Sequence, residues 1–179
     1  MFLIFLVLVI VAVVIIFSYN SLVYKQNQVK NSFSSIDVFL KKRYDLIPNL
    51  VSVVKAYMDY ERSVLKEIVE LRQKGMIDDI SKSDKIDIDR NITRNIKDLW
   101  GVVENYPDLK ANQQFLKLQA ALNDIEDQIS AARRAYNASV NEFNNATQMF
   151  PSNIAASIFG MKPERFFEAE QFTKEVPKI

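Results

Sequence analysis

The sequence predicts an all-α protein in which one N-terminal transmembrane helix runs into an antiparallel bundle of about four long helices. The chain of 179 residues contains only 3 Gly and 5 Pro, too few turn formers for a many-stranded sheet. Apolar residues recur in alternating steps of three and four, the spacing of one helix face. We therefore expect a membrane anchor with its interfacial end at 1–24, the bundle at 25–151 and an amphipathic C-terminal segment at 152–179.

The anchor is predicted by an unbroken apolar run over residues 1–17, with no charge before Lys25. Seventeen helical residues reach about 25 Å, so the run crosses a hydrocarbon core of about 30 Å if residues 18–24 form its interfacial end. The run lacks the basic flank and small-residue cleavage site of a signal peptide, so we expect an uncleaved single-pass anchor. The excess of Lys and Arg after the run favours a cytoplasmic domain.

The first two helices of the predicted bundle meet at Pro48. Proline is excluded from a regular helix interior but is tolerated in a first turn. We therefore expect the anchor helix to end near residue 45 and a second helix to run from Leu46 to Gly75, with Asp45 as its N-cap.

Two more helices complete the predicted bundle. A loop at 75–84 precedes a third, shorter helix around 92–103, and a turn at Tyr106 to Asp108 begins a fourth helix that ends at Phe150. Short connections make neighbouring helices antiparallel. This topology brings the turns at 41–49 and 106–112 together at the end away from the membrane.

Composition excludes several classes of function. The chain has no His and no Cys, which removes disulfides, thiolate nucleophiles, Ser-His relays and zinc sites built from imidazole or thiolate. A net charge of +1 argues against a nucleic-acid partner. Five Asp residues crowd positions 78–89, but their spacing misses the EF-hand pattern. We expect no catalysis, no cofactor and no bound metal.

A candidate partner surface follows from the predicted distal turns. The polar residues gathered there are Lys41, Lys42, Arg43, Asp45, Asn49, Tyr106, Asp108, Lys110 and Asn112. Helix caps and ordinary solvated charges are the simpler interpretation of the same residues. Both interpretations stay open at this point.

A candidate membrane interface follows from aromatic and aliphatic residues at the opposite end. Its members are Tyr19, Tyr24, Ile158, Phe159, Phe166 and Phe167. Aromatic rings favour the headgroup region of a bilayer, although packing on the base of the bundle would also bury them.

A short repeat links the first and fourth helices. The pattern Tyr-Asn-x-x-Val-x-x-x-Asn begins at Tyr19 and again at Tyr136. In antiparallel helices this repeat would set Asn20 beside Asn144 and Asn27 beside Asn137. Buried asparagine pairs of this kind fix helix register.

Two segments carry a family resemblance: YNSLVYKQNQVKNSFSSIDVFLKKRYDLIPNLVSVVKAY at 19–57 and YPDLKANQQFLKLQAALNDIEDQISAARRAYNASVNEFNNATQMFP at 106–151. With GMKPERFFE at 160–168 as a looser match, the chain closely resembles the LemA family of bacterial membrane proteins. The resemblance implies a short span, an antiparallel helical domain, no known enzymatic activity and no assigned cofactor. Some members look like lipoproteins with a Cys before the YN run. Phe17-Ser18 stands there instead, so the side of the membrane stays open.

We therefore expect a non-catalytic interaction or scaffold protein of the bacterial cell membrane. Its expected partners are the lipid bilayer and other membrane or envelope proteins, with a homo-oligomer left open. The alternative is a receptor domain with a ligand or lipid pocket between helices. A cavity above roughly 300 Å³ with convergent polar groups would favour that alternative.

Overall fold

A computed structural model describes residues 1–58, 62–77 and 79–167. In these ranges the regular structure is entirely helical, as predicted. The helices are α1 (Phe2–Lys55), α2 (Arg62–Gly75), α3 (Lys82–Val103), α4 (Pro107–Lys110), α5 (Gln113–Gln148) and α6 (Ser152–Ile158). The last twelve residues of the predicted C-terminal segment lie outside the described residues.

Helix α1 is continuous for 54 residues, with Pro48 inside it. The predicted break near residue 45 is therefore wrong, and so is the single helix predicted from Leu46 to Gly75. A proline in a helix lacks the N–H that would bond the carbonyl four residues earlier. Here the Nε of Arg72 donates to the Tyr44 carbonyl oxygen at 2.7 Å, which supplies the missing donor from α2.

The chain divides into two compact units. The membrane unit comprises Met1–Ile36 and Ala131–Phe167, and the central unit comprises the described residues from Asp37 to Ser130. Both long helices, α1 and α5, contribute a part to each unit.

The membrane unit is built on an antiparallel pair of helices, the first part of α1 and the second part of α5. Ser32 Oγ lies 2.9 Å from Ser139 Oγ, and Lys25 Nζ lies 3.2 Å from Glu142 Oε2. The beginning of α1 is long and apolar enough to cross a membrane, and an 18-residue window in it has no buried residue. Packing begins at Ser18 and Leu22, so the exposed apolar stretch ends where the packed part starts.

The central unit packs α2, α3 and the start of α5 around the second part of α1. Gly75 closes α2 against Tyr44, since a Cβ at this glycine would lie only 2.6 Å from the Tyr44 hydroxyl oxygen. Lys85 at the start of α3 bonds Asp37 at 2.5 Å, so α3 and α1 run in the same direction. Four helical segments share this core, as the periodicity predicted.

Candidate functional site

The α1 residues of the predicted partner surface lie in mid-helix, not in a turn. Lys41, Lys42, Asp45 and Asn49 are exposed. They share one face because steps of three and four residues return to the same side of a helix. The structure therefore offers a polar stripe on α1 where the sequence suggested a turn at the distal end.

Arg43 does not belong to that surface. It is 1% exposed, and its Nη1 donates to Asp89 Oδ1 at 2.7 Å and to Thr93 Oγ1 at 2.9 Å. Its Nη2 forms an ion pair with Glu126 on α5. The step of three from Leu40 to residue 43 continues the buried stripe, so helical spacing overrides the usual exposure of an arginine. Arg43 thus ties α1 to α3 and α5 inside the core.

The chain around α4 supplies the remaining members of the predicted surface. Asp108 and Lys110 are exposed, and Lys110 forms an ion pair with Glu104. Asp108 lies in the first turn of α4 rather than acting as the N-cap of the fourth helix. That role falls to Asn112, whose Oδ1 accepts from the N–H groups of Gln114 and Phe115 at 2.8 and 3.0 Å. The half-buried Tyr106 precedes α4, so this part of the surface is ordered by local caps.

The structure brings Asn112 and the end of α1 together. The Asn112 amide nitrogen donates to the Tyr57 hydroxyl at 3.0 Å. A neighbouring groove of about 450 Å³ is lined by Asn49, Ser52, Val53, Gln114, Lys117 and Leu118. The polar stripe on α1 therefore ends in a groove between α1 and the start of α5. Of the predicted surface residues, Asn49 is the one that lines the groove.

The described part of the central unit has further concavities. A cavity of about 220 Å³ is bordered by Arg43, Glu126 and Trp100, among others. A groove of about 700 Å³ lies along α2, with Met58 and Leu65 in its floor. Its polar groups are exposed side chains such as Lys66, which is 77% exposed and lies 3.6 Å from Glu70.

Three of the acidic residues at 78–89, Asp84, Asp87 and Asp89, have structural partners. Asp84 accepts a hydrogen bond from Ser81, whose Oγ in turn accepts from the Asp84 N–H and caps α3. Asp89 is held by Arg43, and Asp87 lies 3.6 Å from Arg90. Asp78 lies outside the described residues. No cluster of three metal-ligating side chains occurs within the described ranges.

Tyr44 marks the closest packing in the central unit. Burial of its ring raises the pKa of its hydroxyl well above the usual range, and the nearby Asp89 carboxylate adds to this rise. Arg43 opposes the rise. The hydroxyl oxygen is buried and makes no hydrogen bond in the described structure.

The candidate membrane interface is partly rearranged. Tyr19 stacks on Phe159 with ring centroids 4.3 Å apart, and Ile158 and Tyr24 are 60% and 64% exposed. Phe167, in contrast, is 4% exposed and packs edge-on against Tyr136, so it is a core residue and not a membrane contact. Phe166, its neighbour in sequence, is 41% exposed.

Two asparagines of α5 hold the chain that follows α6. Asn144 donates to the Glu164 carbonyl at 2.9 Å and accepts from the Glu164 N–H at 2.8 Å. Asn137 bonds both backbone groups of Phe167 in the same way, each at 2.8 Å. Seven helical residues rise about 10.5 Å and three extended residues about 10 Å, so the two spacings match.

This arrangement corrects the predicted asparagine pairs. Asn20 and Asn27 are exposed, while the side-chain amides of Asn137 and Asn144 form hydrogen bonds to backbone groups. Tyr136 is the third residue that holds this segment, through a hydrogen bond from its hydroxyl to the Arg165 carbonyl at 3.0 Å. Burial, with a smaller effect from Glu164, raises the pKa of Tyr136 to about 12. The seven-residue spacing of the asparagines was visible in the sequence, but their acceptors were not.

Comparison with known proteins matches this architecture to one family. The chain is 26% identical over 155 residues to the LemA protein of Metamycoplasma hominis, covering 87% of this chain and 71% of that protein. It is 25% identical over 174 residues to the magnetosome protein MamQ of Magnetospirillum gryphiswaldense, covering 83% of this chain and 64% of that protein. The chain thus spans about two thirds of the length of these relatives. The LemA family model matches residues 32–179, and the chain belongs to the LemA family.

Proposed function

We propose that this protein is a membrane-anchored scaffold of the bacterial envelope, which presents its central unit to other proteins and catalyses no reaction. LemA proteins are not known as enzymes, and the MamQ relatives are named magnetosome proteins. One observation carries the proposal: the exposed polar stripe on α1 that ends in the groove between α1 and α5.

The chemistry of the groove suggests the kind of partner. Asn49, Ser52 and Gln114 offer both donors and acceptors, while Val53 and Leu118 supply apolar contact. Lys117 lines the groove, and Lys41 and Lys42 lie on the stripe. Asp45 is the acidic residue among the stripe residues named above, so positive charge is in excess there. Complementary charge steers association, so a partner segment with carboxylates and an apolar edge fits this surface.

The exposed linings of the grooves favour a protein partner over a small ligand, since Asn49, Ser52, Gln114 and Lys117 in the groove of about 450 Å³ are all exposed. The cavity beside Arg43, about 220 Å³, is smaller than the roughly 300 Å³ at which ligand pockets usually begin. The larger groove along α2 carries its polar groups on exposed side chains. A receptor pocket would instead enclose a few convergent polar groups.

Site-specific photocrosslinking in cells tests the proposal. A photoreactive residue replaces Ser52 in the groove or Lys42 on the stripe, and the matched control replaces Glu67, which is exposed on α2. We expect one discrete adduct from positions 42 and 52 that is absent from position 67 and is lost from position 52 when Lys117→Glu reverses the groove charge. An adduct that persists in Lys117→Glu, or the same pattern from position 67, would overturn the assignment.

A further inference from the structure

Helix α6 and the residues on either side of it carry an apolar face that the rest of the described chain leaves open. Met149, Phe150, Ile154, Ile158 and Phe159 are 64%, 79%, 46%, 60% and 50% exposed. Ile154 and Ile158 are spaced by four within α6, so they lie on one side of this helix. Ala155 and Ala156, at 1% and 3% exposed, form the opposite, packed side. We name the five exposed residues the apolar foot.

The apolar foot lies at the end of the transmembrane stretch. Phe159 contacts Tyr19 through ring centroids 4.3 Å apart, and Tyr19 is two residues beyond the last residue of the apolar run. The unbroken apolar run ends at Phe17, and the first charged residue after it is Lys25. The boundary of the hydrocarbon therefore falls in the segment between them, which contains Tyr19 and so lies beside Phe159.

Depth and composition together indicate what covers the foot. Amphipathic elements with large apolar side chains lie in the interface with that side facing the acyl chains. The chain also turns away from the foot immediately afterwards. Gly160, at φ +65°, and the bond from the Met161 N–H to the Ala156 carbonyl at 2.9 Å end α6. Lys162 follows and is exposed, which suits anionic headgroups.

We propose that the apolar foot is a second membrane contact, inserted into the interfacial layer of the bilayer that α1 crosses. The continuity with the transmembrane stretch favours lipid over a protein partner, since the same contact pair, Tyr19 and Phe159, belongs to both surfaces. A single helix can rotate about its axis in a membrane, whereas a helix with a lateral foot has one preferred face. The proposal does not depend on the partner groove.

Spin labels measure the depth of the foot directly. The chain has no Cys, so each introduced cysteine is the sole labelling position. Ile158→Cys tests the foot, Ile10→Cys is the control within the span and Asn31→Cys is the control on an exposed water-facing position of α1. The full-length protein is reconstituted in vesicles of phosphatidylcholine and phosphatidylglycerol in equal amounts, and label collisions with oxygen and with a water-soluble nickel chelate are compared.

We expect the label at position 158 to lose most of its collisions with the nickel chelate, as at position 10, while position 31 keeps them. Equal chelate access at positions 158 and 31 would overturn the proposal. So would protection at position 158 that disappears when the protein is diluted into more lipid, since that would identify a second copy as the cover. Phe150→Cys is the second reporter if Ile158→Cys does not fold.

Discussion

Pro48 and Arg72 should be energetically coupled, because the Arg72 side chain occupies the carbonyl that Pro48 leaves without a helical donor. In wild type, Arg72→Ala leaves the carbonyl of the buried Tyr44 unpaired. A hydrogen bond from a charged donor contributes about 1.5–3 kcal/mol, so we expect a loss of about 2 kcal/mol in the free energy of unfolding.

The same substitution should cost much less in a Pro48→Ala background. Residue 48 then has an N–H that bonds the Tyr44 carbonyl within the helix, so Arg72→Ala removes only the packing of its side chain. We expect a coupling energy of about 1–2 kcal/mol between positions 48 and 72, within the usual range for residues that share one partner.

Urea unfolding of the full chain in detergent micelles measures the free energy of unfolding of the wild type, the two single variants and the double variant. Trp100 is the only tryptophan, and its ring packs edge-on against Phe115 in the same unit as the proline, so its fluorescence reports the relevant transition. Lys74→Ala, an exposed cation in the same last turn of α2, is the matched control and should change stability by less than about 0.5 kcal/mol. Equal costs of Arg72→Ala in both backgrounds would refute the reasoning.

Three further predictions concern buried polar groups. Asp89→Ala should destabilise the central unit by about 2–3 kcal/mol in urea unfolding, because it removes the fully buried carboxylate that pairs with Arg43 and leaves Glu126 as its carboxylate partner; a loss below about 1 kcal/mol would contradict this. Asn144→Ala should release the chain at 164–167 and speed tryptic cleavage after the exposed Arg165. The control Asn141→Ala, at an exposed position of the same helix, should not change the cleavage rate. The raised pKa of Tyr44 means that its hydroxyl keeps its proton in the folded state at a pH where the unfolded chain loses it. The stabilisation that follows is fully present below pH 10.0 and decreases as pH rises further. Tyr44→Phe should flatten that decrease above pH 10, and an unchanged slope would exclude Tyr44 as its source.

Burial patterns were predictable from the sequence because they depend on local spacing. The apolar residues of α1 at helical spacing, Leu22, Val29, Phe33, Ile36 and Leu40, are buried, and Gln26 in the same stripe is half-buried. The same rule extends to residue 43, but a charged side chain after two lysines suggested a surface. Its carboxylate partner on α3 lies 46 positions away in the sequence, so no local pattern could assign it.

The missed features share a physical cause, which is compensation from a distant segment. Pro48 ends a helix by local rules, but the Tyr44 carbonyl that it leaves without a helical donor accepts a hydrogen bond from Arg72, 28 positions from Tyr44. Ile158 and Phe159 are exposed, and their contact with the membrane stays a prediction. Met149 and Phe150 were not recognised, because the Phe-Pro pair was interpreted only as a helix stop.

Asn137 and Asn144 on α5 form hydrogen bonds to backbone groups of the segment 164–167 and not to its side chains. The position of this segment is therefore largely independent of which amino acids it contains. Glu164 and Arg165 contribute backbone atoms to these contacts, so many residue types should fit there equally well. The range of tolerated substitutions should therefore differ across this interface. It should be broad in the segment 164–167, except at the buried Phe167, and narrow at Asn137 and Asn144. Substitutions can therefore change the exposed side chains of the segment 164–167 without moving its backbone.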